Sequence, residues 1–450
     1  MNADVRQGDT IFALSSAPGR AGIAVLRVSG CGVVRALEAV AGGRPEARVA
    51  RLARLRDPIT DEPLDQALVI WFEGPNSFTG EDVAEFHIHG GRAVIQGVVD
   101  ALARLDGLRP AEAGEFSRRA FDNGKFDLTA AEGLADLINA DTQAQRRQAL
   151  AQSMGRLGAF YEAWRAALLE ALALVEAALD FSDEADVPGE VERQARPIVD
   201  RLQDAIARHL DDRHCGERLR EGYRVLIAGA PNAGKSSLLN ALARREAAIV
   251  AEEAGTTRDV IEVHLDLAGL PVVVMDTAGI RDATGGVEQE GIRRAFERAG
   301  DADLVIWLVD AAEPQWSAPD DLTQAGAELL VVRNKIDLIG PRDASDKKTQ
   351  HIDITLKNDF GVDLLSGEIE ARASAGIGLV EAPQLTRARH RHELQICHGA
   401  LKRFLDEPFE ALELRAEDLR QAAAALGRIT GRMDVEDVLD RVFAEFCIGK

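Results

Sequence analysis

The sequence predicts a multidomain protein: an α+β amino-terminal domain, an α-helical domain split into two segments, and an α/β P-loop domain of the Ras-like type inserted between those segments. Three observations support this prediction. Strand-like runs separated by Pro and Gly turns dominate the amino-terminal part of the chain. Helical periodicity rich in Ala and Leu begins at Leu128 and returns after Pro383. Between the two helical segments, strands, glycine loops and helices follow one another in the order of a nucleotide-binding domain.

Length and charge set limits on this organisation. The chain has 450 residues, more than one hydrophobic core usually organises, and a formal net charge of −22. Because such a surface repels phosphate backbones, we expect tight binding of nucleic acid only if a local basic patch or a partner protein supplies the contact. The four scattered cysteines show neither metal-ligand spacing nor a disulfide framework. With no signal-peptide pattern and no bilayer-spanning apolar stretch, we predict a cytoplasmic protein without a membrane span.

The amino-terminal domain is predicted to contain a strand with two different faces. Over residues 82–91 the sequence alternates, so that Glu85, His87 and His89 share one face and apolar side chains share the other. Two histidines at this spacing could begin a metal site, but no third ligand lies nearby, and a hydrogen-bonded strand face is favoured. The predicted domain boundaries are 1–123 for the amino-terminal domain, 124–220 and 383–450 for the helical segments, and 221–382 for the insert.

The helical segments carry their own start and packing signals. Thr129 followed by Glu132 is typical of a capping box at a helix start. The last helix is predicted from apolar residues that recur on one face. They are Val435, Val438, Leu439, Val442, Phe443 and Phe446.

The insert opens with a strand, a glycine-rich loop and a helix. Gly229 and Gly234 bracket four residues ahead of Lys235 and Ser236, the spacing of a loop whose backbone N–H groups hold phosphate oxygens. Lys235 should reach the β- and γ-phosphates, and the Ser236 hydroxyl should bind Mg²⁺. The predicted phosphate contacts in this loop are Asn232, Ala233, Gly234, Lys235, Ser236 and Ser237.

Two further motifs follow at the spacing of nucleotide switches. Thr256 and Thr257 lie in a stretch typical of a flexible switch, where Thr257 is the candidate second Mg²⁺ ligand. An apolar strand then leads to Asp276, which could hold Mg²⁺ through water, and to Gly279, whose N–H could sense the γ-phosphate. The predicted nucleotide contacts here are Thr256, Thr257, Asp276, Thr277, Ala278 and Gly279.

The base should be guanine. Asn334, Lys335 and Asp337 follow another apolar strand, and an ionised Asp337 can accept two parallel hydrogen bonds from the N1–H and 2-amino group of guanine, which adenine cannot supply. The loop that touches the ring should come directly after the last strand, so we assign it to Thr355, Leu356 and Lys357, with Thr355 and Leu356 as the contacts. The more familiar pair Ser374-Ala375 falls within the last predicted helix of the insert.

Taken together, these stretches resemble the MnmE (TrmE) family of bacterial tRNA modification GTPases. The resemblance spans the whole chain, and the flanking motifs are more specific than those of the GTPase itself. They comprise Asp9 to Ile11, Ala17 to Arg20, His89 to Gly91, Gly114 to Phe121 and the terminal Phe446 to Lys450. The resemblance implies a homodimeric GTPase that forms a heterotetramer or larger complex with a flavin- and NADH-using partner, MnmG. That complex adds an aminomethyl or carboxymethylaminomethyl group to C5 of the wobble uridine of certain tRNAs.

The resemblance also implies that the amino-terminal domain binds 5-formyltetrahydrofolate or a related folate. The family's folate contacts match Arg27, Glu85, Lys125 and Lys450 in this sequence. The chemistry suits these residue types, because a folate carries carboxylates for Arg and Lys and a pterin edge whose donors fit a Glu acceptor.

Catalysis needs a substitute for a missing glutamine. Ile280 stands where many small GTPases carry the Gln that orients the attacking water. The resemblance implies that K⁺, bound by Asn232 when two GTPase domains meet, supplies transition-state charge, and that Glu288 orients the water. The remaining implied K⁺ ligands are Ala251, Glu253 and Thr256, and the catalytic set is Glu288, Lys235, Asn232 and the cysteine of the carboxyl-terminal motif, Cys447.

A protein of a different class stays open as the alternative. A GTP-switched assembly factor that binds ribosomal RNA would perform no modification of its own. The absence of a basic RNA-binding module after the GTPase, and the unexplained amino-terminal domain, argue against it. Salt-sensitive binding of ribosomal RNA by the isolated protein would favour it.

Overall fold

The computed structural model describes residues 8–180, 187–230, 232–245, 248–249, 262–276, 300–313, 318, 327–339, 351–378, 383–408, 411–433, 436–444, 446 and 449. The chain forms two compact units. The first combines Met1–Ala135, Gln152–Glu162 and Gly427–Lys450, and the second combines Asp136–Ala151 and Ala163–Leu426. The layout is therefore multidomain, with each unit assembled from segments that are separated in the sequence.

A mixed sheet with helices packed on it makes up most of the first unit. Within the described residues its strand order is β3-β4-β5-β2-β1-β6, in which β1 and β6 are parallel and every other neighbour is antiparallel. The strands are β1 (Thr10–Leu14), β2 (Ala21–Ser29), β3 (Arg51–Arg56), β4 (Pro63–Phe72), β5 (Val83–Gly90) and β6 (Leu108–Pro110). The helices are α1 (Val33–Ala41), α2 (Arg92–Ala103) and α3 (Glu115–Asp122).

The predicted alternation along β5 is confirmed. Phe86 and Ile88 are buried, whereas Glu85 and His87 are partly exposed and His89 is exposed. Apolar side chains from β2, β4, β5, α1 and α2 form one continuous core. The sheet therefore buries one face against α1 and α2, and Glu85 lies on the other face, where Ile11 and Ala13 of β1 form a smaller core with Phe116.

Besides the carboxyl-terminal helix, the helical segments contain seven helices among the described residues. They are α4 (Leu128–Ile138), α5 (Gln143–Ser153), α6 (Arg156–Asp180), α7 (Val187–Leu210), α8 (Cys215–Glu221), α11 (Ala388–Asp406) and α12 (Leu412–Thr430). The predicted capping box at Thr129 and Glu132 is wrong, because both side chains are buried inside α4. Asp127 is the cap instead, and its Oδ1 accepts the Ala130 N–H at 2.8 Å. A carboxylate one residue ahead of the helix satisfies a free N–H that Thr129 cannot reach from within it.

The carboxyl-terminal helix α13 (Glu436–Ala444) returns to the first unit as its apolar face predicts. Leu439, Val442, Phe443 and the following Phe446 form a core with α4 residues of the same unit. Gly114, at φ 69°, allows the backbone of this helix to approach closely, since an added Cβ would lie 2.2 Å from the Phe443 carbonyl oxygen.

A second sheet forms the centre of the other unit. Its order within the described residues is β13-β12-β11-β7-β10-β9-β8. The strands β13, β12, β11, β7 and β10 are parallel, whereas β9 is antiparallel to both of its neighbours, β10 and β8. The strands are β7 (Tyr223–Gly229), β8 (Ala248–Ile249), β9 (Glu262–Leu267), β10 (Leu270–Asp276), β11 (Leu304–Asp310), β12 (Glu328–Asn334) and β13 (His351–Asp353). The helices are α9 (Lys235–Arg245) and α10 (Val362–Ile377). Such sheets bind ligands at the carboxyl ends of the parallel strands.

The chain segments that precede and follow this sheet in sequence both donate hydrogen bonds to the carboxylate of Asp136. Asp136 Oδ1 accepts hydrogen bonds from Arg220 Nε at 3.0 Å, just before β7, and from Arg387 Nη2 at 2.8 Å, just before α11. Gly216 lies where the two segments pass each other, and an added Cβ would lie 2.2 Å from the Leu385 carbonyl oxygen. The incoming and outgoing segments are therefore held side by side.

Among the described helices, none has the length and apolarity needed to cross a bilayer.

Candidate functional site

Glycines shape the loop between β7 and α9. Gly229 adopts φ 154° and Gly234 adopts φ 101°, in the region that favours glycine. A Cβ on Gly229 would lie 2.2 Å from the Leu308 carbonyl oxygen, and one on Gly234 would lie 2.5 Å from the Asn334 side-chain nitrogen. These two positions therefore require glycine both for their backbone conformation and for their close neighbours.

Lys235, the first residue of α9, forms hydrogen bonds with the loop that precedes this helix. Its Nζ donates to the carbonyl oxygens of Gly229 at 3.0 Å and Ala230 at 3.1 Å. Burial lowers the pKa of Lys235, while the charge of Asp276 opposes that shift. The ammonium group is thus held at the helix N-terminus, where phosphate oxygens also bind.

Ser236 and Asp276 meet although they lie on different elements. The Ser236 hydroxyl donates a 2.7 Å hydrogen bond to Oδ2 of Asp276, which ends β10 and is only 1% exposed. A hydroxyl and a carboxylate side by side are hard oxygen donors of the kind that Mg²⁺ prefers. The two groups therefore suit a Mg²⁺ ion bound together with a nucleotide phosphate. Thr257, the other predicted Mg²⁺ ligand, lies outside the described residues.

Asn232 stands at the crest of the loop with an exposed side chain and φ 64°. Asparagine is one of the few residues besides glycine that adopts this left-handed conformation readily. An amide oxygen presented here could reach a cation beside the phosphates. The other implied K⁺ ligands, Ala251, Glu253 and Thr256, are outside the described part of the chain.

The residues predicted to recognise the base gather at the ends of β12 and β13. Asn334 donates through Nδ2 to the Ala233 carbonyl oxygen at 2.8 Å, which ties this strand end to the phosphate loop. The Thr355 hydroxyl donates to Asp337 Oδ1 at 2.6 Å. Leu356 packs partly buried against the core of the same unit. Ser374 lies within α10, as expected, and Thr355 follows directly after the last strand.

Asp310 belongs to this site and was missed by sequence reasoning. Its carboxylate lies at the end of β11, 2.7 Å from Lys335 Nζ. No motif marks it, and the only sequence signal is its place after an apolar strand, as for Asp276 and Asn334. Several predicted site residues lie outside the described residues. These are Thr277, Ala278, Gly279, Glu288, Cys447 and Lys450.

A second candidate site lies in the first unit. Arg27 and Glu85 are opposite each other in the register of β2 and β5 and form an ion pair with an Nη2–Oε1 distance of 2.9 Å. His87 Nε2 lies 3.3 Å from the other Glu85 oxygen, so the histidine has a hydrogen-bonding role. His89 lies 2.8 Å from Asp65. No cluster of three potential metal ligands occurs among the residues that the structure describes.

Aromatic rings connect this ion pair to a cavity. The Arg27 guanidinium lies over the Phe78 ring at 5.2 Å and near the Phe116 ring at 5.8 Å. Phe78 also lines a cavity of about 460 Å³ together with Arg48 and Lys125. Lys125 donates from Nζ to the Pro75 carbonyl oxygen at 2.8 Å. The lining therefore combines cations with aromatic surface.

The fold and the phosphate-loop site define a P-loop GTPase. A family model described as the MnmE helical domain matches residues 128–447, and one described as the GTP-binding protein TrmE N-terminus matches residues 10–125. A tRNA modification GTPase MnmE from Rhodospirillum rubrum is 52% identical, covering 98% of this chain and 99% of that protein. One from Parvibaculum lavamentivorans is 53% identical and covers 98% and 100%. The chain belongs to the MnmE (TrmE) family of tRNA modification GTPases.

Proposed function

We propose that this protein is a K⁺-stimulated GTPase that acts in the modification of C5 of the wobble uridine of certain tRNAs. The observation that carries the proposal is the convergence of Lys235, the Ser236–Asp276 pair and the Thr355–Asp337 pair at one edge of the second sheet. These groups suit a triphosphate with Mg²⁺ at one end and a guanine base at the other. The name of the relatives, tRNA modification GTPase, supplies the substrate class.

The nucleotide chemistry follows from the residues in this loop. Lys235 neutralises charge on the phosphates, while bound Mg²⁺ supplies further positive charge next to Ser236 and Asp276. Asn232 presents an exposed amide oxygen that suits K⁺, which would provide the charge that an arginine supplies in other GTPases. Glu288 is the proposed water-orienting residue, because Ile280 cannot act as a hydrogen-bond acceptor.

The first unit is proposed to bind 5-formyltetrahydrofolate or a related folate. Arg27 and Lys125 provide positive charge for carboxylates, and Glu85 provides an acceptor for pterin donors. Phe78 supports a ring system because it lies between the Arg27 guanidinium and the cavity beside Lys125. Lys450 is the fourth proposed contact, and its neighbour Gly449 is bound by Ser15 Oγ through a 2.8 Å hydrogen bond next to β1.

The proposed partners follow from charge and family. The protein is proposed to act as a homodimer in complex with a flavin-using protein of the MnmG kind, which would hold much of the tRNA. An acidic chain with a formal charge of −22 is consistent with this division. Cys447 is proposed to act in the modification chemistry from the carboxyl-terminal motif.

A nucleoside profile of cellular tRNA tests the proposal. Cells lacking the gene would be complemented with the intact gene, with Lys235→Ala, or with Lys402→Ala as a matched change at an exposed helical lysine. We expect C5-substituted wobble uridines to return with the intact gene and with Lys402→Ala, but not with Lys235→Ala. A profile that never changes would reject the tRNA assignment and favour a GTP-switched assembly factor.

A further inference from the structure

The ion pair between Lys335 and Asp310 joins two strand ends. β11 and β12 are parallel, with Asp310 opposite Asn334, and the Ala311 N–H donates to the Asn334 carbonyl oxygen at 2.8 Å. Asp310 and Lys335 therefore emerge at the same edge of the sheet. There, Lys335 Nζ lies 2.7 Å from Asp310 Oδ2.

Further hydrogen bonds hold both Lys335 and Asp310 in place. Lys335 has φ 63°, an uncommon conformation for a residue other than glycine, and its N–H donates to Asn334 Oδ1 at 2.8 Å. The second oxygen of Asp310 accepts the Ala312 N–H at 3.0 Å. The Asp310 side chain is only 15% exposed, so its charge is poorly solvated and depends on these partners. The hydrogen bond from Lys335 lowers the pKa of Asp310, which keeps the carboxylate ionised.

Lys335 lies next to the proposed nucleotide site, which indicates a role for its ion pair with Asp310. Asn334 contacts the phosphate loop through Ala233, and Asp337, which is bonded to Thr355, is the proposed acceptor for guanine. Lys335 lies between them in the chain. We therefore expect a purine that meets Asp337 while its phosphates occupy the loop to lie beside the Lys335 stem. A free lysine stem carries about 2 kcal/mol of rotamer entropy, so fixing its far end before the nucleotide arrives favours binding.

We propose that Asp310 is a positioning residue for guanine-nucleotide binding, which acts by anchoring Lys335 alongside the base. The inference rests on the guanine-nucleotide site proposed above. It assigns a role to a carboxylate that touches neither phosphate nor Mg²⁺. Its effect should therefore appear in nucleotide affinity and not in the rate of the bound nucleotide's hydrolysis.

The test compares Asp310→Asn with a matched control in the full chain. Glu328→Gln removes a carboxylate at the opposite end of the same strand pair, where Glu328 Oε1 accepts from Arg372 at 2.8 Å. Dissociation constants for GDP and GTP would be measured by displacement of a fluorescent GDP analogue, together with KM and kcat. We expect Asp310→Asn to raise both dissociation constants and KM about tenfold with kcat within twofold, because the contact that is lost stabilises the bound ground state and the transition state equally. Glu328→Gln should match the wild type.

A double-mutant cycle distinguishes positioning from a general structural effect. If Asp310 acts through Lys335, then adding Asp310→Asn to Lys335→Met should weaken GDP binding no further. Equal losses in both backgrounds, or unchanged affinity in Asp310→Asn alone, would overturn the proposal. Failure of the wild type to bind GDP would instead overturn the guanine site itself.

Discussion

The hydroxyl of Thr355 donates a 2.6 Å hydrogen bond to Asp337 Oδ1, although the two residues are 18 positions apart in the chain. Thr355 is 5% exposed whereas Asp337 is exposed, so this bond is partly shielded from water. The bond restrains one oxygen of Asp337, the residue that we propose accepts the paired donors of guanine.

Removing this hydroxyl should weaken guanine recognition. We expect Thr355→Val to raise the dissociation constant of GDP by about three- to tenfold, in line with the 0.5–1.5 kcal/mol of a typical hydrogen bond. Thr355→Ser keeps a hydroxyl and should stay near the wild type. Calorimetric titration measures the affinity of both variants for GDP and for xanthosine diphosphate. A preference for GDP over xanthosine diphosphate that is unaltered in Thr355→Val would show that recognition by Asp337 does not depend on the Thr355 hydroxyl.

Asn232 should govern the response to alkali cations. We expect GTP turnover by the wild type to be at least about tenfold faster in K⁺ than in Na⁺, an effect of roughly 1.4 kcal/mol or more on the barrier. Asn232→Gly should lose the difference while still binding GDP, because the side chain is exposed and glycine also adopts the positive φ of this position. Phosphate release in matched KCl and NaCl buffers measures this. Equal wild-type rates in the two salts would remove K⁺ from the mechanism.

The first unit should bind folate through Arg27. Arg27→Gln removes the cation that pairs with Glu85 and lies over Phe78, so we expect the affinity for 5-formyltetrahydrofolate to fall at least about tenfold. Arg54→Gln, on the exposed side of β3, serves as the control. Titration calorimetry gives the affinities. Folate binding that survives Arg27→Gln at full strength would locate the site elsewhere.

Acid should destabilise the second unit through His209. The pKa of His209 is lowered to about 4 from 6.5, mainly because burial disfavours the imidazolium, with Arg391 and His390 adding to the shift and Asp212 opposing it. The unfolded chain therefore binds this proton more readily than the folded chain between these two values. Stability should be full above about pH 6.5 and fall as the pH drops towards 4, by up to about 3 kcal/mol.

A neutral replacement tests the assignment to His209. His209→Gln should flatten the pH dependence of the thermal midpoint between pH 7 and about pH 4.5, since glutamine does not titrate. The exposed His392→Gln on α11 should leave the dependence as it is. Trp164, whose ring centroid lies 5.4 Å from that of His209, is a local fluorescence reporter. An identical acid response in His209→Gln and wild type would assign the loss to other groups.

Asp136 should contribute more to the free energy of unfolding than a residue of an exposed ion pair does. Its carboxylate is 10% exposed and serves two arginines, so Asp136→Ala would remove one acceptor from each of two partly or largely buried guanidinium groups. We expect a loss of about 3 kcal/mol, within the range for breaking a buried pair. Asp200→Ala removes half of an exposed pair with Arg196 and should change stability by less than about 0.5 kcal/mol. Urea unfolding compares them, and equal losses would contradict a special role for Asp136.

Local patterns predicted most of the elements that build these sites. The alternation in β5, the apolar face of α13 and the glycine spacing before Lys235 are each set by neighbours in sequence, so they can be read without the fold. The helix start at α4 was misjudged because Asp127 and Thr129 are both good caps, and only the helix register decides between them. Asp310 and Asp136 could not be found, because their partners are set by strand pairing and by contacts between distant segments.

The shared carboxylate of Asp136 also bears on how such a chain can change over time. Because Arg220 and Arg387 meet at one oxygen, the points where the chain leaves and rejoins the helices are adjacent. Domain insertion is tolerated where chain ends lie close together, so we expect a different domain to be accepted between these two points while the helices on both sides keep their path. A GTPase with a different turnover rate, placed between the same two points, would then change the timing of any process that the helices take part in.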